Sequence, residues 1–427
     1  MIFDNAKNIL PQLELLFKEL QKLTFPPIII ISIRNNNYDK LNSHLDPDII
    51  QKMDFFIPDL DDVEIYNLIN QLDKYNLLGV LKGLNSKERF TEFKFRAKKQ
   101  ILIAMKEATK GKNFDTIIQD EYSEINPIEA KVLCLCIALN TELGYTNSKQ
   151  DYIGFSSVSH AEALSYLNAT LAGTIIWVGK DNNKFMLRHQ VLAEHIISFC
   201  ASIDMLKEAY IRVLSILAPE LKKNTGPSRK FSLYKSLINH QTLYQRFKNN
   251  INHARDVYDS ISTFFNSDSQ FWLQYGSLEV EGEGGDLNLA ENYLAQASSI
   301  NPYNPHIKNA QCNLYYRFSL YSNNFTVAMD YKIKADEFAK ELLTNIGNED
   351  PHIHHIYCRG NYNFILKWIK DKNEKKSKLE LLRRSIEQAV KLHPRNRKID
   401  QALQAINRAY LQLGISDITL SDPEIPQ

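Results

Sequence analysis

Apolar and polar positions divide the chain into a strand-and-helix start, a helical middle that ends in one hairpin, and a long helical remainder. Residues 28–33 read Ile-Ile-Ile-Ile-Ser-Ile, a continuous β-branched run that suits a strand covered on both faces, as in a parallel sheet. Ile2 and Phe3 look like the end of an earlier strand. Between the two, Leu13, Phe17, Leu20 and Leu23 share one helical face, and Pro26-Pro27 stop that helix. The order is β-α-β with a stub for its first strand. Two parallel strands are too few for a stable sheet, so the reading expects the rest of an α/β domain upstream of Met1. Residues 54–105 turn helical. Asp61 is a candidate N-cap, Ile65, Leu68, Ile69 and Leu72 form an apolar stripe, and a second helix spans about 89–109.

Residues 113–170 continue as short helices. Asn126-Pro127 opens one carrying Ala130, Leu133, Cys134 and Ile137, and Ser159 or His160 opens another carrying Ala163, Leu164 and Leu167. The period then changes. Residues 175–178 and 185–187 are short apolar runs separated by Gly-Lys-Asp-Asn-Asn, which is hairpin chemistry. Val191, Leu192, Ile196 and Phe199 return to helical spacing, with Arg188 and His189 at the junction of strand and helix. Helices ending in a two-stranded wing describe a winged-helix domain over residues 113–199. Beyond it the pattern is helical, and residues 219–230, rich in Pro, Gly and Lys, read as a linker. Trp272, Gly276, Ala290, Ala297 and Pro302 resemble the tetratricopeptide signature, with two extra residues in the Gly-to-Ala interval around Gly282-Glu-Gly-Gly285. Ala328 and Ala335 repeat its spacing of seven, and Ala389 and Pro394 its spacing of five. The physical reason for small residues there is the close approach of paired helices.

Composition narrows the function classes. With 427 residues the chain is long enough for about three domains. The net charge of +1 gives no bulk support to nucleic-acid binding. Five cysteines without a CxxC pair point to a reducing, cytoplasmic setting, and Cys134 and Cys136 read as core. No apolar run reaches the ~18–20 residues of a membrane span. His352, His354, His355 and Cys358 cluster within seven residues, yet no second pair of ligands answers them, so no metal site is assigned. Neither GxxxxGK[ST] nor GxGxxG occurs, so the chain has no phosphate-cradling loop of its own. No nucleophile-and-base constellation can be argued from sequence order, and no catalytic residue is assigned to the chain in isolation.

Two early residues could still meet a phosphate. Asp4 follows an apolar strand, where nucleotide hydrolases place a magnesium-associated carboxylate; it also reads as a loop or capping acid. Arg34 ends the run 28–33, and an Arg at the carboxyl end of a parallel strand can reach a phosphate beyond the sheet; it also reads as a solvated strand end.

Taken with the order of elements, these residues resemble the downstream part of a STAND NTPase, the signal-transduction ATPases with numerous domains. Ile2-Phe-Asp-Asn5 resembles the Walker B strand, the segment ending Ser32-Ile-Arg34 the sensor strand, and Arg188-His-Gln190 the winged-helix histidine motif, usually Met-His-Asp. His189 keeps the motif's histidine and both neighbours depart from it; as an ordinary helix cap it needs no such role. The resemblance implies a mainly α chain: residues 1–53 a remnant of a P-loop ATPase core, 54–112 a small helical domain, 113–199 a winged helix and 200–427 an α-solenoid of tetratricopeptide-like repeats. It implies an N-terminally truncated or split protein whose P-loop lies before Met1. ATP or ADP with Mg would bind only when that portion is supplied, with Asp4, Arg34, Arg188 and His189 near the nucleotide. It further implies a protein or peptide trigger on the repeats, a possible homo-oligomer, and a place in signal transduction such as antiphage defence. The rival expectation is a stand-alone helical-repeat scaffold without nucleotide control.

Overall fold

The computed structural model describes residues 2–3, 13, 16–17, 19–20, 29–31, 61–74, 78–92, 94, 114–178, 183–223, 228–346, 349–394 and 396–414. Asp4, Arg34, the hairpin turn at 179–182 and the part of the helix at 89–109 beyond residue 94 lie outside the described residues. The described chain is mainly helical, with eighteen α-helices and two small sheets among the described residues. No described helix is long and apolar enough to cross a membrane. Contacts divide the chain into two units, Met1–Met205 and Leu206–Gln427.

In the first unit, β1 (Ile2–Phe3) and β2 (Ile30–Ile31) pair in parallel, with Ile2 opposite Ile30 and Phe3 opposite Ile31. Helix α1 (Asp62–Lys74) starts where Asp61 and Glu64 exchange hydrogen bonds: Asp61 Oδ1 accepts from the Glu64 amide at 2.7 Å and Glu64 Oε2 from the Asp61 amide at 2.9 Å. This satisfies amides that a helix start leaves without partners. Ile65, Ile69 and Leu72 are buried along the expected stripe and pack with Leu78 and Leu81. Helix α2 (Ser86–Thr91) begins three residues before the expected start, because Asn85 and Glu88 make the same reciprocal cap.

Next come α3 (Phe114–Ser123), α4 (Ile128–Glu142), β3 (Asn147–Ser148), α5 (Lys149–Phe155), α6 (His160–Ser165), β4 (Ile175–Val178) and β5 (Lys184–Leu187). The three strands form one antiparallel sheet in the order β3-β5-β4, and the hairpin pairs Ile175 with Leu187 and Val178 with Lys184. Helix α4 is the centre of this half: the ten consecutive positions from Val132 to Thr141 are all buried, as is Ala130, with Cys134 and Cys136 at 0% exposure. A helix apolar all round belongs in a core. Helix α7 (Gln190–His195) follows β5 and continues into a π-helical turn, Ile196–Cys200. Here the expected face is corrected. Leu192, Ala193, Ile196 and Ile197 are buried, but Phe199 is 75% exposed. The wider π turn advances each residue by a smaller angle, so a 3.6-residue count misplaces the last position.

Helix α8 (Ile203–Lys223) carries the division between units. It also corrects the linker reading, since it runs through Pro219 rather than ending before it. A proline there costs one backbone bond, which tertiary packing of Val213, Leu214, Leu217 and Ala218 offsets. The second unit then comprises α9 (Arg229–Leu237), α10 (His240–Arg246), α11 (Ile251–Ile261), α12 (Ser269–Glu281), α13 (Leu287–Ile300), α14 (Pro305–Tyr321), α15 (Phe325–Ile346), α16 (Pro351–Trp368), α17 (Lys372–Leu392) and α18 (Arg397–Gly414). Helices pack as successive pairs, α12 with α13, α14 with α15, and α17 with α18. Alternate helices also touch, α10 to α12, α12 to α14, α14 to α16 and α16 to α18. Small residues sit at the closest approaches. Ala290, Ala297, Ala328, Ala335 and Ala389 are 0% exposed, and a Cβ on Gly276 would lie 2.7 Å from Leu294 Cγ.

Candidate functional site

Two places collect polar side chains: the strand–helix junction of the first unit and a groove in the second.

At the junction, three consecutive side chains are fixed by different elements. Arg188 forms an ion pair with Glu121 of α3 and donates to the Gly173 carbonyl at 2.9 Å. His189 is the N-cap of α7, its Nδ1 accepting from the Val191 amide at 3.1 Å, and it is exposed. Gln190 donates to the Glu142 carbonyl at the end of α4. The strand before them is held to the same helix end. Thr141 Oγ1 accepts from the Leu187 amide at 3.0 Å, and Asn140 donates to Asn147 Oδ1 at 2.6 Å in the buried layer between α4 and β3. Of the four residues singled out for a nucleotide, Arg188 and His189 therefore stand side by side, while Asp4 and Arg34 lie outside the described residues. What the junction can do is rigidly present one imidazole edge at a helix N-terminus, where the backbone amides favour an anion.

The groove of the second unit has a volume of about 1390 Å³. It is lined by α10, α12, α14 and α16, with Lys398 from the start of α18. A row of hydrogen bonds crosses its floor, one residue or two from each helix. His240 Nε2 lies 3.1 Å from Glu281 Oε2, and Gln241 donates to the same oxygen at 3.1 Å. Asn313 Nδ2 donates to Glu281 Oε1 at 3.4 Å, and Arg359 donates to Asn313 Oδ1 at 2.6 Å. Burial alone would raise the Glu281 carboxyl; the hydrogen bond and charge of His240, the Gln241 amide and the charge of Arg359 outweigh it and hold the group down at about 2. The floor thus carries a fixed negative charge at its α12 end.

A second buried carboxylate shapes the α12 end without facing the groove as a charge. Glu279, 0% exposed at its side chain, takes two bonds from Arg255, at 2.7 and 2.6 Å, and one from the Asp286 amide at 2.8 Å. This ties the turn Gly282-Glu-Gly-Gly285 to α12. Gly284 has φ of +78°, a conformation open to glycine, and a Cβ on Gly282 would meet the Leu278 carbonyl at 2.8 Å. The glycines serve that turn.

Among the residues of the His352–Cys358 cluster, His355 and Cys358 are buried, 2% and 1% exposed, and Cys358 packs among Phe364, Leu379 and Ile386. Among the described residues no three His, Cys, Asp or Glu side chains converge to hold a metal. Of the aromatics of this region, Tyr316 and Tyr362 are core at 2% exposure, Tyr315, Tyr331 and Trp368 are half-buried, and Tyr321 at the groove edge is 66% exposed.

The row His240–Glu281–Asn313–Arg359 was missed by sequence reasoning. Its members are 41, 32 and 46 residues apart. A search for polar residues recurring at the repeat period, and not only for small ones, is the signal that could have found them. Compared with known proteins, the chain matches no family model and no curated relative.

Proposed function

We propose that the chain is the regulatory and sensor portion of a STAND-type signalling ATPase, whose helical repeats bind a protein or peptide trigger while a winged helix responds to the nucleotide state. The observation that carries this reading is the succession α4-β3-α5-α6-β4-β5 with sheet order β3-β5-β4, followed at once by a helix capped by His189. Helix, strand, two helices and a closing hairpin whose second strand lies centrally is the arrangement expected of a winged helix. The parallel pairing of Ile2 with Ile30 supports the β-α-β start of an ATPase remnant, and the pairs from α12 to α18 support a tetratricopeptide-like solenoid over the second unit. In this reading the domains are 1–53, 54–112, 113–199 and 200–427. Nucleotide, ATP or ADP with Mg, needs a P-loop that this sequence does not contain, and Asp4, Arg34 and His189 would meet it. Trigger binding would loosen the His189 contact, allow exchange and drive assembly in a cytoplasmic signalling or antiphage role.

Co-expression with the segment encoded immediately upstream tests this. The expected result is a complex that retains ADP through gel filtration, with retention lowered at least tenfold by His189→Ala and by Arg34→Ala. Equal retention in both variants overturns the proposed roles. One observation favours the rival, a repeat scaffold without nucleotide control: Arg188 is engaged by Glu121 and Gly173, and His189 already caps α7, so both have structural roles that require no nucleotide.

A further inference from the structure

The groove is electrically divided. Its α10–α12 half is lined by three carboxylates, of which Glu279 is matched by Arg255 and Glu281 by His240. Its α14–α18 half is lined by four cations, Arg317, Arg359, Lys367 and Lys398, and among the described residues by no carboxylate. Lys367 and Lys398 are exposed and Arg317 is half-buried, whereas Arg359 is buried and committed to the floor through Asn313, so it adds to the field rather than to direct contacts; Lys367 Nζ donates to the Leu320 carbonyl. Leu320 and Leu366 stand between these charges, and Asn313 and Asn363 add amides to the lining.

From this division we infer that the α14–α18 half of the groove binds an extended acidic peptide segment of a partner protein, with apolar residues among its acids. This deepens, and rests on, the reading that the repeats bind a protein trigger. Three features specify the occupant. The cations supply charge complementarity, which steers encounter and orients the ligand. A side-chain amide both donates and accepts, so Asn363 matches the two groups of a peptide backbone. The leucines accept aliphatic side chains where a nucleic acid would offer none. Packed helices lie ~8–10 Å apart and an extended chain rises ~3.3 Å per residue, so crossing from α14 to α18 takes roughly six residues. In the opposite half Glu283 is exposed, and its charge disfavours further acids there, which keeps the acidic positions of the segment in the α14–α18 half.

The experiment uses the full chain and fluorescein-labelled peptides of twelve residues. They share a Leu and Gly framework and differ at six positions that are all Glu, all Ser or all Lys; a twelve-nucleotide oligothymidylate is the fourth probe. Anisotropy is read at low and high salt. The Glu peptide is expected to bind at least tenfold more tightly than the Ser and Lys peptides and to weaken with salt. Lys367→Glu with Lys398→Glu should abolish that preference, and the neutral pair Lys367→Gln with Lys398→Gln should leave an intermediate one, with helical circular dichroism unchanged in each. Binding of the Ser or Lys peptide at equal or greater strength, tighter binding of the oligonucleotide, or unchanged Glu-peptide binding in Lys367→Glu/Lys398→Glu overturns the inference while leaving a binding groove. Failure of every peptide overturns the inference and the trigger-binding reading with it. Glu-peptide binding alongside nucleotide retention indifferent to His189 leaves the inference standing and removes nucleotide control.

Discussion

At the scale of single residues, the second unit places ionisable side chains where their charge state bears on stability. His355 is 2% exposed and its Nδ1 has no hydrogen-bond partner. Burial first, then the charges of Arg359, Lys398 and His352, push its imidazole down from 6.5 to about 3. Between those two values the unfolded chain takes up a proton that the folded chain refuses. Stability from this residue is therefore complete above pH 6.5 and lost as pH falls toward 3. The slope from one such proton is at most about 1.4 kcal/mol per pH unit. Glu281 acts in the same direction in a lower window: its carboxyl falls from 4.5 to about 2 in the fold, so its contribution is present above 4.5 and lost below. Urea unfolding of the wild type from pH 7.5 to 4.5 should show a midpoint falling with pH, and His355→Leu should flatten that fall between pH 6.5 and 4.5. An identical pH slope in His355→Leu would show that this imidazole is not the group responsible.

At the scale of elements, close helix approach is set by side chains that are absent. A Cβ on Gly360 of α16 would collide with the ring of Tyr316 on α14. That ring is itself fixed, because Tyr316 Oη donates to Asp336 Oδ1 at 2.6 Å and accepts from Asn361 at 2.8 Å. The neighbour cannot yield without breaking a buried network, so Gly360→Ala should cost more than the ~1–3 kcal/mol typical of overpacking. Tyr316→Ala relieves the clash at its own cost, and the double variant should be markedly less destabilised than the sum of the singles in thermal melts; additivity would place the strain elsewhere. Much of this level was legible beforehand. Asp61, Asn126-Pro127, Ser159 and the 175–187 hairpin announce their elements through local chemistry that needs no partner: a cap or a turn is decided within four residues. Phe199 and Pro219 were misread for the complementary reason. A π turn and a proline tolerated inside α8 are outcomes of packing, and the local pattern of period and breaker residues points the other way.

At the scale of the molecule, legibility falls further. Trp272, Gly276, Ala290 and Ala297 revealed that helices pair, because close approach demands small residues at a fixed interval. The groove floor could not be read the same way, because His240, Glu281, Asn313 and Arg359 become neighbours only when successive pairs stack. That stacking also yields a test of the second unit. Two of its apolar clusters draw on its own helices: one joins Cys312, Ala335, Ala339, Leu342 and Ile353, and another joins Phe364, Leu379, Ile386, Ile399 and Ile406. Its first helix also brings its own start, since Ser202 Oγ accepts from the Met205 amide at 3.4 Å. When each repeat is stabilised by its neighbours, an array needs only enough of them and a covered first helix. A chain beginning at Ala201 and running to Gln427 should therefore fold alone, giving a helical circular dichroism spectrum, a sigmoidal thermal transition and Glu-peptide binding equal to that of the full chain. Binding lost although the fragment melts cooperatively would mean that the groove needs the first unit to hold its shape, and a featureless melt would mean that the repeats lack a self-sufficient core.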